Sequence, residues 1–186
     1  YGALCDGFCI CKDGTYLATV RYHESSNVDS YKAMKLYKST DKGENWTIFD
    51  ITVGGSVWSS SLCGIRELSN GRLVTATGHS IIYSDDKGVT WTQVQTNSQV
   101  NNIWELSLCE LTEGTLLAIV RQGVATDNGS YTGNPVKSPA HIGVSTDYGT
   151  TWNTFKPSTS ILDMTANPCC PIVHKDEGLI ELFYCS

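Results

Sequence analysis

Apolar and polar positions alternate along most of this chain, in short runs broken by Gly, Asn, Asp and Ser. The run Phe8-Cys9-Ile10-Cys11 and the run Tyr16-Leu17-Ala18-Thr19-Val20-Arg21 flank Asp13-Gly14. Alternation on both sides of a D-G pair predicts two antiparallel strands joined by a tight turn. The device returns at Asn70-Gly71 before Arg72-Leu73-Val74, at Glu113-Gly114 before Thr115-Leu116-Leu117-Ala118, and at Glu177-Gly178 before Leu179-Ile180-Glu181-Leu182-Phe183. No segment sustains apolar spacing at three and four, so no helix is predicted. The linkers are too short for crossover helices, which excludes a parallel α/β fold.

A second kind of hairpin follows each of the first three. Met34-Lys35-Leu36-Tyr37 leads into Ser39-Thr40-Asp41-Lys42-Gly43-Glu44-Asn45-Trp46. Ile81-Ile82-Tyr83 leads into Ser84-Asp85-Asp86-Lys87-Gly88-Val89-Thr90-Trp91, and Ile142-Gly143-Val144 into Ser145-Thr146-Asp147-Tyr148-Gly149-Thr150-Thr151-Trp152. The shared pattern is S-x-D-x-G-x-x-W. The aspartate is expected to fix a turn by accepting hydrogen bonds from N–H groups one or two residues on. The glycine supplies a positive φ, and the indole is expected to anchor the corner against a neighbouring layer. The strings Trp58-Ser59-Ser60-Ser61-Leu62-Cys63 and Trp104-Glu105-Leu106-Ser107-Leu108-Cys109 repeat each other as W-x-x-S-L-C. Such internal repeats govern the reading of the fold.

The octapeptide resembles the Asp box, and through it the chain resembles the sialidase (neuraminidase) superfamily. Asp boxes also occur in sortilin-like receptors, some endoglucanases and photosystem assembly factors, so they speak to fold more than to chemistry. The resemblance implies an all-β fold, a β-propeller of four-stranded antiparallel blades with the boxes on its outer rim. Two hairpins make one blade. Residues 4–53, 56–98 and 102–160 are expected to form blades and 165–186 a half-blade, all in one domain. Three and a half blades do not close a ring and sialidases use six. A longer polypeptide is therefore expected, and a start at Tyr1 inside a run that reads as strand, with no secretory signal opening the chain, suggests a processed or trimmed chain. Closure by partner subunits is the alternative.

Composition narrows the function. A formal charge of −6 and a pI near 5.1 argue against a nucleic-acid surface. No apolar run is long enough to span a bilayer. The 8 cysteines permit disulfides, but Cys9, Cys63, Cys109 and Cys170 recur just ahead of turn glycines and read as small buried apolar residues. Neither the cysteines nor His23, His79, His141 and His174 show metal or triad spacing; no metal and no cofactor is expected. Asn45-Trp46-Thr47 and Asn128-Gly129-Ser130 fit the N-glycosylation acceptor pattern.

Candidate chemistry sits in the loops between the second and third strands of each repeat, which are short at Gly78-His79, intermediate at 22–32 and long at 122–140. Glu105 stands sixteen residues before Arg121, with Glu110-Leu111 and the Gly114 turn between. This string is similar to one in bacterial-type sialidases. There the glutamate polarises a catalytic tyrosine and the arginine is one of three that hold the substrate carboxylate, a task suited to a permanently charged fork. Arg21 stands at the same offset from Gly14 as Arg121 from Gly114. The resemblance gives Asp29 the acid/base role, with Asp6 and Glu24 as competitors. The bland readings are a solvated strand-end charge for Glu105, a loop-capping arginine and a turn aspartate. Trp58 and Trp104 suit either core packing or sugar stacking. The family's Arg-Ile-Pro string is absent, with Tyr1-Gly2-Ala3-Leu4 in its place, and Tyr184 is not assigned as the nucleophile.

Two classes of function therefore compete. One is a sialidase-like glycoside hydrolase, exo-acting on a terminal anionic sugar. The other is a non-catalytic glycan- or receptor-binding propeller, such as a phage tail-fibre tip or a surface adhesin. A scaffold for protein assembly is a third. The expected partner is a glycan or glycoconjugate, and the expected location extracellular or the virion surface.

Overall fold

A computed structural model describes residues 2–23, 31–58, 62–77, 80–94, 103–122, 140–158, 172–174, 177 and 179–181. Those residues are built from β-strands and turns, with no helix among them. The fold is a β-propeller, seen as consecutive antiparallel meanders. The first blade is β1 (Gly2–Ile10), β2 (Tyr16–His23), β3 (Tyr31–Ser39) and β4 (Thr47–Asp50), paired in that order. A small hairpin, β5 (Thr52–Val53) and β6 (Ser56–Val57), leads to the second blade: β7 (Leu62–Glu67), β8 (Leu73–Thr77), β9 (Ile81–Ser84) and β10 (Thr92–Val94). The third is β11 (Ile103–Thr112), β12 (Thr115–Gln122), β13 (His141–Ser145) and β14 (Lys156–Pro157). A two-stranded sheet of β15 (Ile172–His174) and β16 (Leu179–Glu181) follows.

Residues 1–77 with 81–94 form one compact unit, and 78–80 with 95–186 a second. Within the first unit the core lies between blades one and two. Leu17, Met34, Leu36 and Ile51 from blade one meet Ile65, Leu73, Ile82 and Trp91 from blade two. Alternation explains the choice for the strand residues, which share one face of each sheet, while Ile51 and Trp91 adjoin β4 and β10. Trp58 packs against this cluster, which is the core-packing reading of that indole; the side chain of Trp104 lies outside the described residues. The innermost strands touch backbone to backbone. A methyl group on Gly7 would fall 2.6 Å from Gly64 Cα, and both strands carry a bulge there, between Cys5 and Gly7 and between Cys63 and Ile65. In the second unit, Ile119 and Ala140 are buried with Leu117 packed on them, and β15 lies against β11.

The corners follow one plan with one departure from expectation. In the first, Ser39 Oγ donates to Asp41 Oδ1 (2.7 Å) and accepts from the Gly43 N–H (2.9 Å). Asp41 accepts from the N–H of Asn45, and Trp46 Nε1 donates to the Gly43 carbonyl, both at 2.9 Å. The same set recurs around Asp86, with Thr90 and Trp91, and around Asp147, with Thr151 and Trp152. The carboxylate thus grips the chain four residues on, not one or two, and spans the whole turn. Two successive residues have positive φ, Lys42 at 60° and Gly43 at 93°, with Lys87–Gly88 and Tyr148–Gly149 alike. This is the type I′ geometry that matches strand twist. The indoles differ: Trp91 is 5% exposed in the inter-blade core, whereas Trp46 is 37% exposed. Only the former meets the expectation of an indole wedged against a neighbouring layer within its unit.

Among the described cysteines, Cys5, Cys9, Cys11 and Cys109 take part in no disulfide. Cys11 and Cys109 are buried, Cys9 is half-buried and Cys5 is exposed. Burial pushes the Cys11 thiol up to about 12, helped by the nearby Cys9 and Glu67, so it stays a neutral packing group.

Candidate functional site

Strand register places the candidate residues. In blade one, Ile10, Tyr16 and Ser39 stand at the end carrying both turns, and Gly2, His23 and Tyr31 at the other. Arg21, paired with Leu4 and Met34, lies near that second end, where β2 leaves for the 24–30 connection. In blade three, Leu116 and Ser145 mark the corner end, while Arg121 lies one residue before the end of β12. Both arginines are therefore held by strands at the end of their sheet away from the corner aspartates.

Glu105 stands directly opposite Arg121 in the β11–β12 ladder. The register shifts between Ile103 and Glu105, and this bulge brings the two into register. Sixteen residues of separation become a single cross-strand step, the distance over which opposite charges interact on a sheet. The side chains of both lie outside the described residues. Asp29 lies outside them altogether, as do Glu24 and most of the 122–140 loop.

In blade one the arginine has a visible partner. Arg21 Nε lies 2.6 Å from Asp6 Oδ2, with side chains 17% and 6% exposed. Asp6 occupies the β1 bulge between Cys5 and Gly7. The extra residue sets its carboxylate beside Arg21, although Leu4 is the direct register partner. Asp6 competed for an acid/base role in the sequence; in the structure it holds a guanidinium. Nothing in the local pattern marks the bulge, because it arises where Gly7 meets Gly64 on the next blade.

The corner end carries a different network. Glu67, 5% exposed in its side chain, accepts from Lys87 Nζ at 2.8 Å and from the Lys12 N–H at 2.6 Å. Lys87 Nζ also lies 3.5 Å from Asp13 Oδ2. This network joins blade one to blade two. The hydrogen bond to Glu67 is the main reason the Lys87 ammonium is held above its ordinary range. In blade three Tyr148 occupies the place of Lys87, and its hydroxyl donates to Glu113 at 3.2 Å. Among the described residues no group of three or more His, Cys, Asp and Glu is placed to hold a metal ion. No described helix is long and apolar enough to cross a membrane.

Four-stranded antiparallel meanders of this kind, one after another, are the blades of a β-propeller. No protein-family model and no curated protein sequence matches the chain. Solved structures do. The chain is similar to YCF48 bound to a D1 peptide at 15% identity and TM-score 0.63, covering 97% of this chain and 48% of that one. It is similar to the GH93 α-L-arabinofuranosidase of Fusarium graminearum in complex with arabinobiose (18%, TM-score 0.54, 91% of this chain and 51% of that). It is similar to the Hadza microbial sialidase Hz136 (17%, TM-score 0.53, 85% and 33%). At such identities the likeness is one of fold. The chain spans about half the length of the first two and 33% of the third.

Proposed function

We propose that this chain belongs to a glycan-directed propeller of the sialidase superfamily and contributes to a sialidase-like, exo-acting glycoside hydrolase. The observation that carries the reading is the register pairing of Glu105 with Arg121 at the end of blade three away from the corner aspartate. A cross-strand carboxylate can orient a guanidinium and tune a neighbouring group, and a guanidinium can hold the carboxylate of an anionic terminal sugar bidentately. In this reading Arg121, with Arg21, holds the sugar carboxylate. Glu105 activates a tyrosine outside these residues, and Asp29 serves as acid/base. The three S-x-D-x-G-x-x-W corners, read as Asp boxes, support membership of that superfamily. The glycosidases among the structural neighbours support a sugar as the ligand. Work on a terminal sugar suits an extracellular or virion-surface setting.

A second reading has its own support. The chain is similar to YCF48 in complex with a D1 peptide, at TM-score 0.63, as well as to glycosidases, and the Arg-Ile-Pro string is missing. A non-catalytic propeller would use the same strand ends to hold a glycan or peptide.

The experiment that separates them is turnover of a fluorogenic sialoside by the full-length protein. Arg121→Ala is expected to lower kcat/KM by about a hundredfold or more, and Arg121→Lys to restore little of it, since an ammonium cannot make the forked contact. Glycan binding without turnover, unchanged in Arg121→Ala, overturns the hydrolase reading.

A further inference from the structure

The blades can be compared position by position from the glycine of their first hairpin. Seven residues after it stand Arg21 in blade one, Gly78 in blade two and Arg121 in blade three. Eight or nine residues before it blades one and three carry an acid, Asp6 and Glu105, where blade two carries Cys63 and Leu62. The acid and the arginine thus occur together in two blades and are both missing from the other. A residue that merely filled its strand would have no reason to follow the arginine.

The ladders reach this pairing by two routes. In blade three Glu105 is the direct register partner of Arg121, and a further irregularity between Glu110 and Thr112 lengthens β11 before the turn. In blade one the direct partner of Arg21 is Leu4, which carries no charge, and the acid comes from the bulge between Cys5 and Gly7. That bulge lies where β1 and β7 touch: a methyl group on Gly7 would also fall 2.8 Å from the Ile65 nitrogen. A bulge re-aims a side chain out of the alternation of the pleat. Here it sets the Asp6 carboxylate 2.6 Å from Arg21 Nε, with side chains 6% and 17% exposed. A carboxylate this deep is kept in place by its partner, because a buried charge persists only when it is paired. The arginine gains in return. Its side chain is long and rotamer-rich, and ordering it ahead of binding removes that cost from the binding step. A guanidinium gripped at Nε by one carboxylate can meet a second through its Nη1–Nη2 edge.

We infer that Asp6 is a positioning residue, which holds the Arg21 guanidinium in its binding orientation as Glu105 is placed to do for Arg121. Blade one then carries a second acid–arginine unit, built by a bulge instead of by direct register. The inference rests on the reading of Arg21 as a ligand-holding residue, and it names what holds Arg21. Asp6 itself touches no ligand and acts through Arg21 alone.

The test uses the full-length protein with Asp6→Glu, which keeps the charge but carries the carboxylate one methylene further, and with Asp6→Asn, which keeps the shape and drops the charge. Asp6→Glu is expected to raise KM for the fluorogenic sialoside at least about fivefold and to leave kcat within about twofold, because it weakens ground-state and transition-state binding alike. In an Arg21→Ala background the same substitution is expected to change KM by less than about twofold. An equal rise in that background overturns the inference, since Asp6 would then act by another route. So does an unchanged KM when Arg21 is present. A second readout uses no sugar. Phenylglyoxal modifies guanidinium groups, and its rate at each arginine is read by peptide mass spectrometry. Asp6→Asn is expected to speed modification of Arg21 at least about fivefold and that of Arg72, which pairs with Asp85, by less than about twofold. An unchanged rate at Arg21 overturns the inference. If the unsubstituted protein turns over no sialoside, the proposed hydrolase falls and the modification rates alone decide on Asp6. Should Asp6→Asn fail to fold, Asp6→Glu takes its place in the labelling.

Discussion

A methyl group on Gly88 would fall 2.3 Å from Leu36 Cδ2, whereas one on Gly43 would meet nothing closer than Trp46 at 3.6 Å. Both glycines sit near φ +90°, so both positions carry backbone strain for any other residue, about 1–2 kcal/mol. Only Gly88 adds a steric conflict inside a packed core. Gly88→Ala is expected to cost at least about 3 kcal/mol and Gly43→Ala about half of that or less, measured by urea unfolding. The aspartate, glycine and indole of each corner were legible as a turn because their chemistry is local. The residue between aspartate and glycine was not. Lys42, Lys87 and Tyr148 all take positive φ, yet lysine and tyrosine carry no sequence mark of it. Lys87 and Tyr148 are held there by contacts from elsewhere, the buried Glu67 for one and the Gly114 turn with Glu113 for the other.

Strands and their pairing were readable from alternation and turn residues, since a period of two and a D-G or N-G pair act within one hairpin. What alternation misses is the bulge. Asp6 reaches Arg21 only because β1 gains a residue there, and Glu105 stands opposite Arg121 in the ladder only because β11 slips between Ile103 and Glu105. Between elements, the Glu67–Lys87 pair ties the first hairpin of blade two to its corner, while the Lys12 N–H joins it to blade one. Lys87 is 43% exposed, which screens its attraction. A double-mutant cycle of Glu67→Ala with Lys87→Ala should return a coupling of about 1 kcal/mol. Leu36→Ala, by contrast, opens a cavity in the inter-blade core at a fully buried site. It should cost about 2–5 kcal/mol by the same measurement.

For the molecule as a whole, the corners impose a common dependence on acid. The N–H and side chain of Asn45, with the Ser39 hydroxyl, hold the Asp41 carboxyl down at about 2. Asp86 also reaches about 2: partial burial opposes the shift, and hydrogen bonds from Thr90, Ser84 and Val89 outweigh it. Asp147 is lowered in the same way, against partial burial, by Thr151 and Ser145. A carboxyl whose folded value lies below its unfolded one stabilises above the unfolded pKa and loses that contribution as pH falls through the folded value. The urea midpoint should therefore fall steadily between about pH 4 and pH 2, and Asp86→Asn should flatten that slope.

Two hairpins per repeat, a carboxylate-and-glycine corner and an apolar stripe on alternate positions were decided by the sequence alone, because turn chemistry and pleat act over a few residues. Which indole is buried and which carboxylate meets which arginine were decided only in the tertiary structure. The repeats carry nearly the same pattern in each blade, so what separates Trp46 from Trp91 is the neighbour each blade meets, and a neighbour is not encoded in the strand that awaits it.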